Sequence, residues 1–306
     1  MGPPIDPRET LYIATTTDYL LSISCAILLL FCSYYLRERR KLAIFIFSMG
    51  FVFLLSAPWL AVINKAVIGA YPTIDKEGSL LFYLDGVHRR TLFSPLESLK
   101  DPAHRLIGFH LGHFWIVEFF DVFLSPFGAY NAQMLFNLVG NLFSSILFFR
   151  CFNISLNRSI LFGILLGLQL HVFRDLQWYT VEKSSLFWIF VFWIYLKELC
   201  KVKSVFPGWG LGLLYFLATW TNFYWGILLA FLGGSYGIAY SLRLYKKSSF
   251  SLNHNVFKGL FSCCFVGIAI AIIQLQLSTP SDSFASVDQF KERAILDSFT
   301  LFPPNW

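Results

Sequence analysis

Long apolar runs, several near the length of a membrane-crossing helix and parted by polar stretches, recur along the whole chain. Eight of them read as spans: 19–36, 42–63, 129–149, 160–173, 184–196, 209–222, 225–242 and 256–277. A run of about 20 apolar residues crosses hydrocarbon only as a helix, because no water is present there to pair with backbone amides. The pattern therefore predicts an all-α, polytopic transmembrane bundle of about 8 spanning helices. It forms a single transmembrane domain over 1–306, with a large outer loop at 65–127 and an outer tail at 279–306. The first run is no signal peptide, since its basic cluster follows the apolar residues instead of preceding them.

Composition strengthens this picture. Charged residues make up 14% and hydrophobic ones 56%, with 19% aromatic, whereas soluble domains carry about 25% charge. The mean hydropathy is +0.60. The six cysteines, Cys25, Cys32, Cys151, Cys200, Cys263 and Cys264, lie in or at the ends of apolar runs, where cysteine serves as a small hydrophobe. They imply neither a disulfide framework nor a zinc site.

The formal net charge of +6 reads as a topology signal, since no basic stripe interleaved with aromatics lies in a soluble segment. Lys and Arg gather in four clusters: Arg37, Arg39, Arg40 and Lys41; Arg150 and Arg158; Lys197, Lys201 and Lys203; Arg243, Lys246, Lys247 and Lys258. Cytoplasmic loops retain such charges. All four clusters share one side only if two spans separate each neighbouring pair. That condition keeps 106–127 from crossing and assigns it as amphipathic helices on the outer face or a re-entrant segment. Both termini are then extracytoplasmic, and the inner loops hold only two acids, Glu38 and Glu198. The sequons at Asn153 and Asn157 fall in an inner loop and escape glycosylation.

Candidate chemistry concentrates on the outer side. The loop at 65–127 is too aromatic for disorder and too short for a core of its own, so it must fold onto the bundle. Within it Asp85 stands at the end of an apolar stretch, followed by Gly86, His88, Arg89 and Arg90. A carboxylate so placed can deprotonate a sugar or lipid hydroxyl or hold a divalent metal, with the arginines gripping phosphate oxygens. A salt bridge from Asp85 to Arg89 one helical turn later is the plainer reading. His110 and His113 with Glu118 and Asp121 have helical spacing but match no recognised ligand motif. Glu118 and Asp121 are the better functional acids, because acids on an otherwise apolar face need a reason to be there.

In the second outer loop Arg174, Asp175, Glu182 and Lys183 flank Gln177, Trp178 and Tyr179, which suits a phosphate or sugar contact, or an interfacial aromatic belt with paired charges. Asn137 and Asn141, one turn apart in the third run, read as bonds to neighbouring helices. Gly208, Gly210 and Gly212 read as helix-packing glycines, as no strand precedes them.

The order of these features, an outer loop with an acid near a span, then Asp101-Pro-Ala-His-Arg-Leu-Ile-Gly, then Pro126-Phe-Gly-Ala-Tyr-Asn131 and a helix ending in Arg150, resembles the polytopic C-type glycosyltransferases, in particular bacterial members with no assigned substrate. The similarity covers about 74–195 at the level of pattern. It implies a bacterial inner-membrane enzyme using a polyprenyl-phosphate-linked sugar as donor, with Asp85 as the catalytic or metal-holding acid. Arg174 or Lys183 would contact the donor phosphate. The sequence departs from the family in an extra preceding span and in stopping at Trp306, which implies a truncated or fragmentary member. The competing expectation is a non-catalytic carrier or assembly component for lipid-linked cell-envelope intermediates. A carrier places charges within its spans, and the runs here are nearly free of them.

Overall fold

The computed structural model describes residues 14–57, 59–61, 63–64, 111–177, 184–200, 207–246 and 254–277. These residues form ten α-helices and no strand. The helices are α1 (Thr16–Tyr35), α2 (Arg40–Leu55), α3 (Leu111–Asp121), α4 (Pro126–Cys151), α5 (Leu156–Gly167), α6 (Leu170–Gln177), α7 (Phe187–Leu199), α8 (Trp209–Thr221), α9 (Phe223–Lys246) and α10 (His254–Leu277). Each of the eight apolar runs therefore contains a helix, although the helix of the 42–63 run ends at Leu55. By length and apolarity, two helices among the described residues can cross a bilayer: α1, and α4 from Gly128 to Cys151.

Local chemistry sets the helix ends. At the start of α1 the Thr15 Oγ1 accepts from the Asp18 amide at 3.3 Å, and the Asp18 carboxylate accepts from the Thr15 amide at 2.9 Å, a reciprocal cap. Ser125 caps α4, its hydroxyl accepting from the Gly128 amide at 3.1 Å, with Pro126 at the first helical position. Beyond the other end of α4, Asn153 has φ of 61°, a left-handed position that asparagine tolerates.

The 160–173 run is not one helix. The backbone leaves helical geometry at Leu168 (φ −118°, ψ 36°) and resumes as α6. The break follows a close approach: a Cβ on Gly167 would stand 2.8 Å from the Asn141 carbonyl oxygen, and one on Gly163 would stand 3.2 Å from the Ile146 amide. Ser159, Gly163 and Gly167 are the buried residues of α5. Small residues at four-residue spacing let α5 lie almost backbone to backbone on α4.

Two apolar clusters join the helices. The first gathers Ile44 and Val52 of α2, Val117 of α3, Met134, Leu138, Leu142 and Ile146 of α4, Val172 of α6 and Phe190 of α7. The second gathers Phe192, Leu196 and Leu199 of α7 with Leu211 and Tyr215 of α8, Leu229 of α9 and Val256 of α10. Helix α7 thus belongs to both. The glycines of the 208–212 stretch do pack helices, Gly210 against Tyr195 and Gly212 against Ser262.

The bundle has two chemically different ends. Arg37, Arg40 and Arg150 line one cavity. Lys197 donates from its Nζ to the Cys151 carbonyl and lies over the Phe152 ring at 3.8 Å. Cys200, just beyond α7, lies 2.7 Å from the Tyr236 hydroxyl in the second half of α9. These contacts gather the C-terminal ends of α4 and α7 and the α1–α2 turn at one end. At the other, the Asn64 Oδ1 accepts from the amide and hydroxyl of Ser125 at 3.2 and 3.1 Å, and Asn131 Nδ2 donates to the Ile63 carbonyl at 2.8 Å.

Candidate functional site

Helix α4 carries a buried polar stripe. Gln133, Asn137, Asn141, Ser144 and Ser145 recur at intervals of three or four residues, so they share one face, and each is at most 2% exposed. Gln133 Nε2 donates to Asn137 Oδ1 at 3.1 Å, and Asn137 Nδ2 donates to Ser184 Oγ at 3.0 Å. Asn141 makes the most informative pair of bonds. Its Nδ2 donates to the Ser184 carbonyl at 2.6 Å while its Oδ1 accepts from the Phe187 amide at 2.8 Å.

Those bonds fix the depth at which α7 begins. Asn141 lies 15 residues after Pro126, about 22 Å along a helix rising 1.5 Å per residue. The non-helical backbone at Ser184 to Leu186 therefore sits more than halfway along α4, and all three residues are buried. Helix α8 ends at the same level, because Trp225 Nε1, in the first turn of α9, donates to Ser185 Oγ at 3.1 Å. Between α8 and α9 the extended Asn222 (φ −157°, ψ 126°) accepts at its Oδ1 from the Tyr224 amide at 2.8 Å. Asn222 is 1% exposed, and its Nδ2 has no hydrogen-bond partner among the described residues.

Three helix ends thus meet inside the bundle, the start of α7, the end of α8 and the start of α9. Backbone freed from helical pairing at such depth needs partners from the protein; Asn141 of α4 supplies them at the start of α7, and Asn222 does so at the start of α9. The resulting floor is uncharged. Asp18, at the start of α1, is the one charged residue among the described buried ones.

Charged candidates approach from α3. Glu118 and Asp121 lie one turn apart and half-buried. The neighbouring Val117 is 1% exposed and Phe120 packs into the first apolar cluster. Helix α3 rests on α4 and also touches α8, whose far end holds Asn222. Its 11 described residues extend about 16 Å.

Asp85, Arg89, Arg90 and Lys183 lie outside the described residues, as does His110. Arg174 belongs to α6, with its side chain outside the described part, and the same holds for His113 in α3. Asn64, from which the chain continues toward Asp85, is held to Ser125 at the head of α4. Among the described residues no three His, Cys, Asp or Glu side chains cluster as metal ligands.

The reading of Asn137 and Asn141 as helix-bonding residues agrees with the geometry, but the partners did not show in the sequence. Ser184, Ser185 and Asn222 carry no motif; the two serines matter through contacts 40 residues or more away in the chain, and Asn222 through its burial at the break between α8 and α9. The Ser159, Gly163, Gly167 spacing was a usable signal for the α4–α5 contact. Family models, curated proteins and solved structures offer no match to this chain.

Proposed function

We propose that this chain is a membrane-embedded glycosyltransferase that takes a sugar from a polyprenyl-phosphate-linked donor at the end of the bundle where α4 begins, and that this end faces the extracytoplasmic side of a bacterial inner membrane. One observation carries the reading: the half-buried acids of α3 and the tethered exit at Asn64 belong to the end opposite the arginines, while the polar layer of Asn137, Asn141 and Ser184 between the two ends is uncharged. Eight membrane crossings with the basic end inside follow the rule that cytoplasmic loops retain Lys and Arg.

In the proposed reaction a hydroxyl oxygen of the acceptor attacks the anomeric carbon as its bond to the donor phosphate breaks. The polyprenyl phosphate leaves, and a carboxylate takes the hydroxyl proton. Asp85 is the proposed base or metal-holding acid, with Glu118 and Asp121 as further acids. Arg89, Arg90, Arg174 and Lys183 bind donor phosphate, where guanidinium forks suit paired oxygens.

A carrier for the same lipid-linked class is the second reading. The observation in its favour is the meeting of three helix ends at mid-depth, an arrangement that transporters use for midplane sites. The uncharged floor favours chemistry at the surface over transport of a charged group. The deciding experiment gives purified protein a radiolabelled polyprenyl-phosphate sugar. Label transferred to an acceptor, with Asp85→Asn slowing turnover by about 10²- to 10⁴-fold, supports the enzyme. Label carried across sealed vesicles without transfer supports the carrier, and unchanged turnover in Asp85→Asn removes Asp85 from the mechanism.

A further inference from the structure

At the opposite end of the bundle, α1, α2, α4 and α5 enclose a cavity of about 470 Å³ whose lining includes Arg37, Arg40 and Arg150. We propose that it binds the phosphate headgroup of an acidic membrane lipid of the inner leaflet. This site is distinct from the transferase end and shares with that reading only the premise that the bundle lies in a membrane.

The mouth of the cavity is strongly cationic. The segments 33–47 and 150–160 carry Arg37, Arg39, Arg40, Lys41, Arg150 and Arg158 against a single acid, Glu38. Arg37 and Arg40 are exposed at the rim, and the Arg37 guanidinium lies 5.5 Å from the centre of the Tyr34 ring. Arg150 is half-buried and oriented by a bond from its Nη1 to the Ile154 carbonyl, which also accepts from Ser159 Oγ at 3.2 Å. Three guanidinium forks around one space match the oxygens of a phosphate ester.

Two helix starts reinforce the field. Arg40 and Leu156, the first residues of α2 and α5, both line the cavity, and neither Arg39 nor Ser155 caps its helix through its side chain. First-turn amides left without a side-chain cap favour an anion.

The wall beneath the arginines is what selects a lipid. Arg40, Ala43, Ile44 and Phe47 follow one another down a face of α2, and Leu156 and Ile160 do so on α5. A headgroup held by the arginines would have an acyl chain running along apolar side chains toward the bilayer centre. A soluble phosphate would leave that wall unused. Basic pockets between membrane helices on the cytoplasmic side take acidic headgroups in this way.

Native mass spectrometry of the full chain released from detergent tests the proposal, titrated separately with phosphatidylglycerol, phosphatidylcholine and inorganic phosphate. The expected result is retained phosphatidylglycerol, little phosphatidylcholine, and no displacement of the lipid by equimolar inorganic phosphate. The combined Arg37→Gln, Arg40→Gln, Arg150→Gln variant should lose on the order of a hundredfold in phosphatidylglycerol affinity, about fivefold per basic group. The single rim variant Arg40→Gln, which leaves the half-buried Arg150 in place, should lose about fivefold and serves where the triple variant does not fold. Equal affinity for the two lipids, or unchanged affinity in the variants, overturns the site. Competition by inorganic phosphate at equal concentration overturns the lipid assignment in favour of a soluble phosphate ligand. Alkaline extraction that frees the chain from membranes would instead remove the shared premise, and loss of sugar transfer alone leaves this site untouched.

Discussion

Among the described residues helices α1 and α4 are the two long and apolar enough to cross a membrane, yet 17% of the apolar stretch is buried in α1 and 67% in α4. The difference lies in where their polar residues fall. In α1, Leu20, Leu21, Leu28 and Phe31 are about 60% exposed, and its buried face is small and polar, Asp18, Ser22 and Ala26. In α4 the stripe from Gln133 to Ser145 is buried and pairs with other segments. Apolarity tells which helices enter a membrane, whereas buried amides tell which helix the others assemble around.

Substitution of the amide that anchors α7 should have the largest effect. Asn141→Ala leaves the Phe187 amide without its side-chain partner and removes one of two donors to the Ser184 carbonyl, which also accepts from the Leu186 amide at 3.0 Å. A buried group that loses its partner costs about 1 to 3 kcal/mol, so we expect about 2 kcal/mol in reversible unfolding in mixed micelles. That exceeds the average of about 0.6 kcal/mol for a side-chain hydrogen bond between membrane helices, because a backbone amide at a helix start loses its acceptor while the neighbouring carbonyl loses a donor. An effect near that average would show that the start of α7 finds other partners. Leu28→Ala, at a position 61% exposed on α1, should stay within about 0.5 kcal/mol in the same measurement.

A smaller loss is expected at Gly167, between those extremes. The added methyl would meet the Asn141 carbonyl oxygen at 2.8 Å and its carbon at 3.0 Å, and overpacking of this kind costs about 1 to 3 kcal/mol. Alanine recovers about 1 kcal/mol in helix propensity. Gly167→Ala should therefore destabilise by about 1 kcal/mol, and a gain in stability would mean that α5 can move off α4.

The helices themselves were legible, since each of the eight apolar runs contains one. The break at Leu168 was not, because the run offers no proline and its cause is the contact of Gly167 with Asn141, 26 residues away in the chain. The depth of Ser184 was hidden for the same reason: composition is local, and the partner that makes a mid-depth break tolerable is not. The basic clusters were read together as topology marks, but the convergence of Arg37, Arg40 and Arg150 on a shared cavity depends on how α1, α2, α4 and α5 pack. Among the acids, Glu118 and Asp121 could be located on α3 beside α4, while Asp85 lies outside the described residues.

In the proposed topology the two ends of this bundle face opposite sides of a membrane, with the arginines inside. Labelling of intact cells with a membrane-impermeant maleimide tests it most directly, using single cysteines at Asn64 and Arg158, both exposed and at opposite ends. Asn64→Cys should label above the background of the parent chain in intact cells, and Arg158→Cys only after permeabilisation. Labelling of both from outside, or of Arg158→Cys alone, would contradict the account.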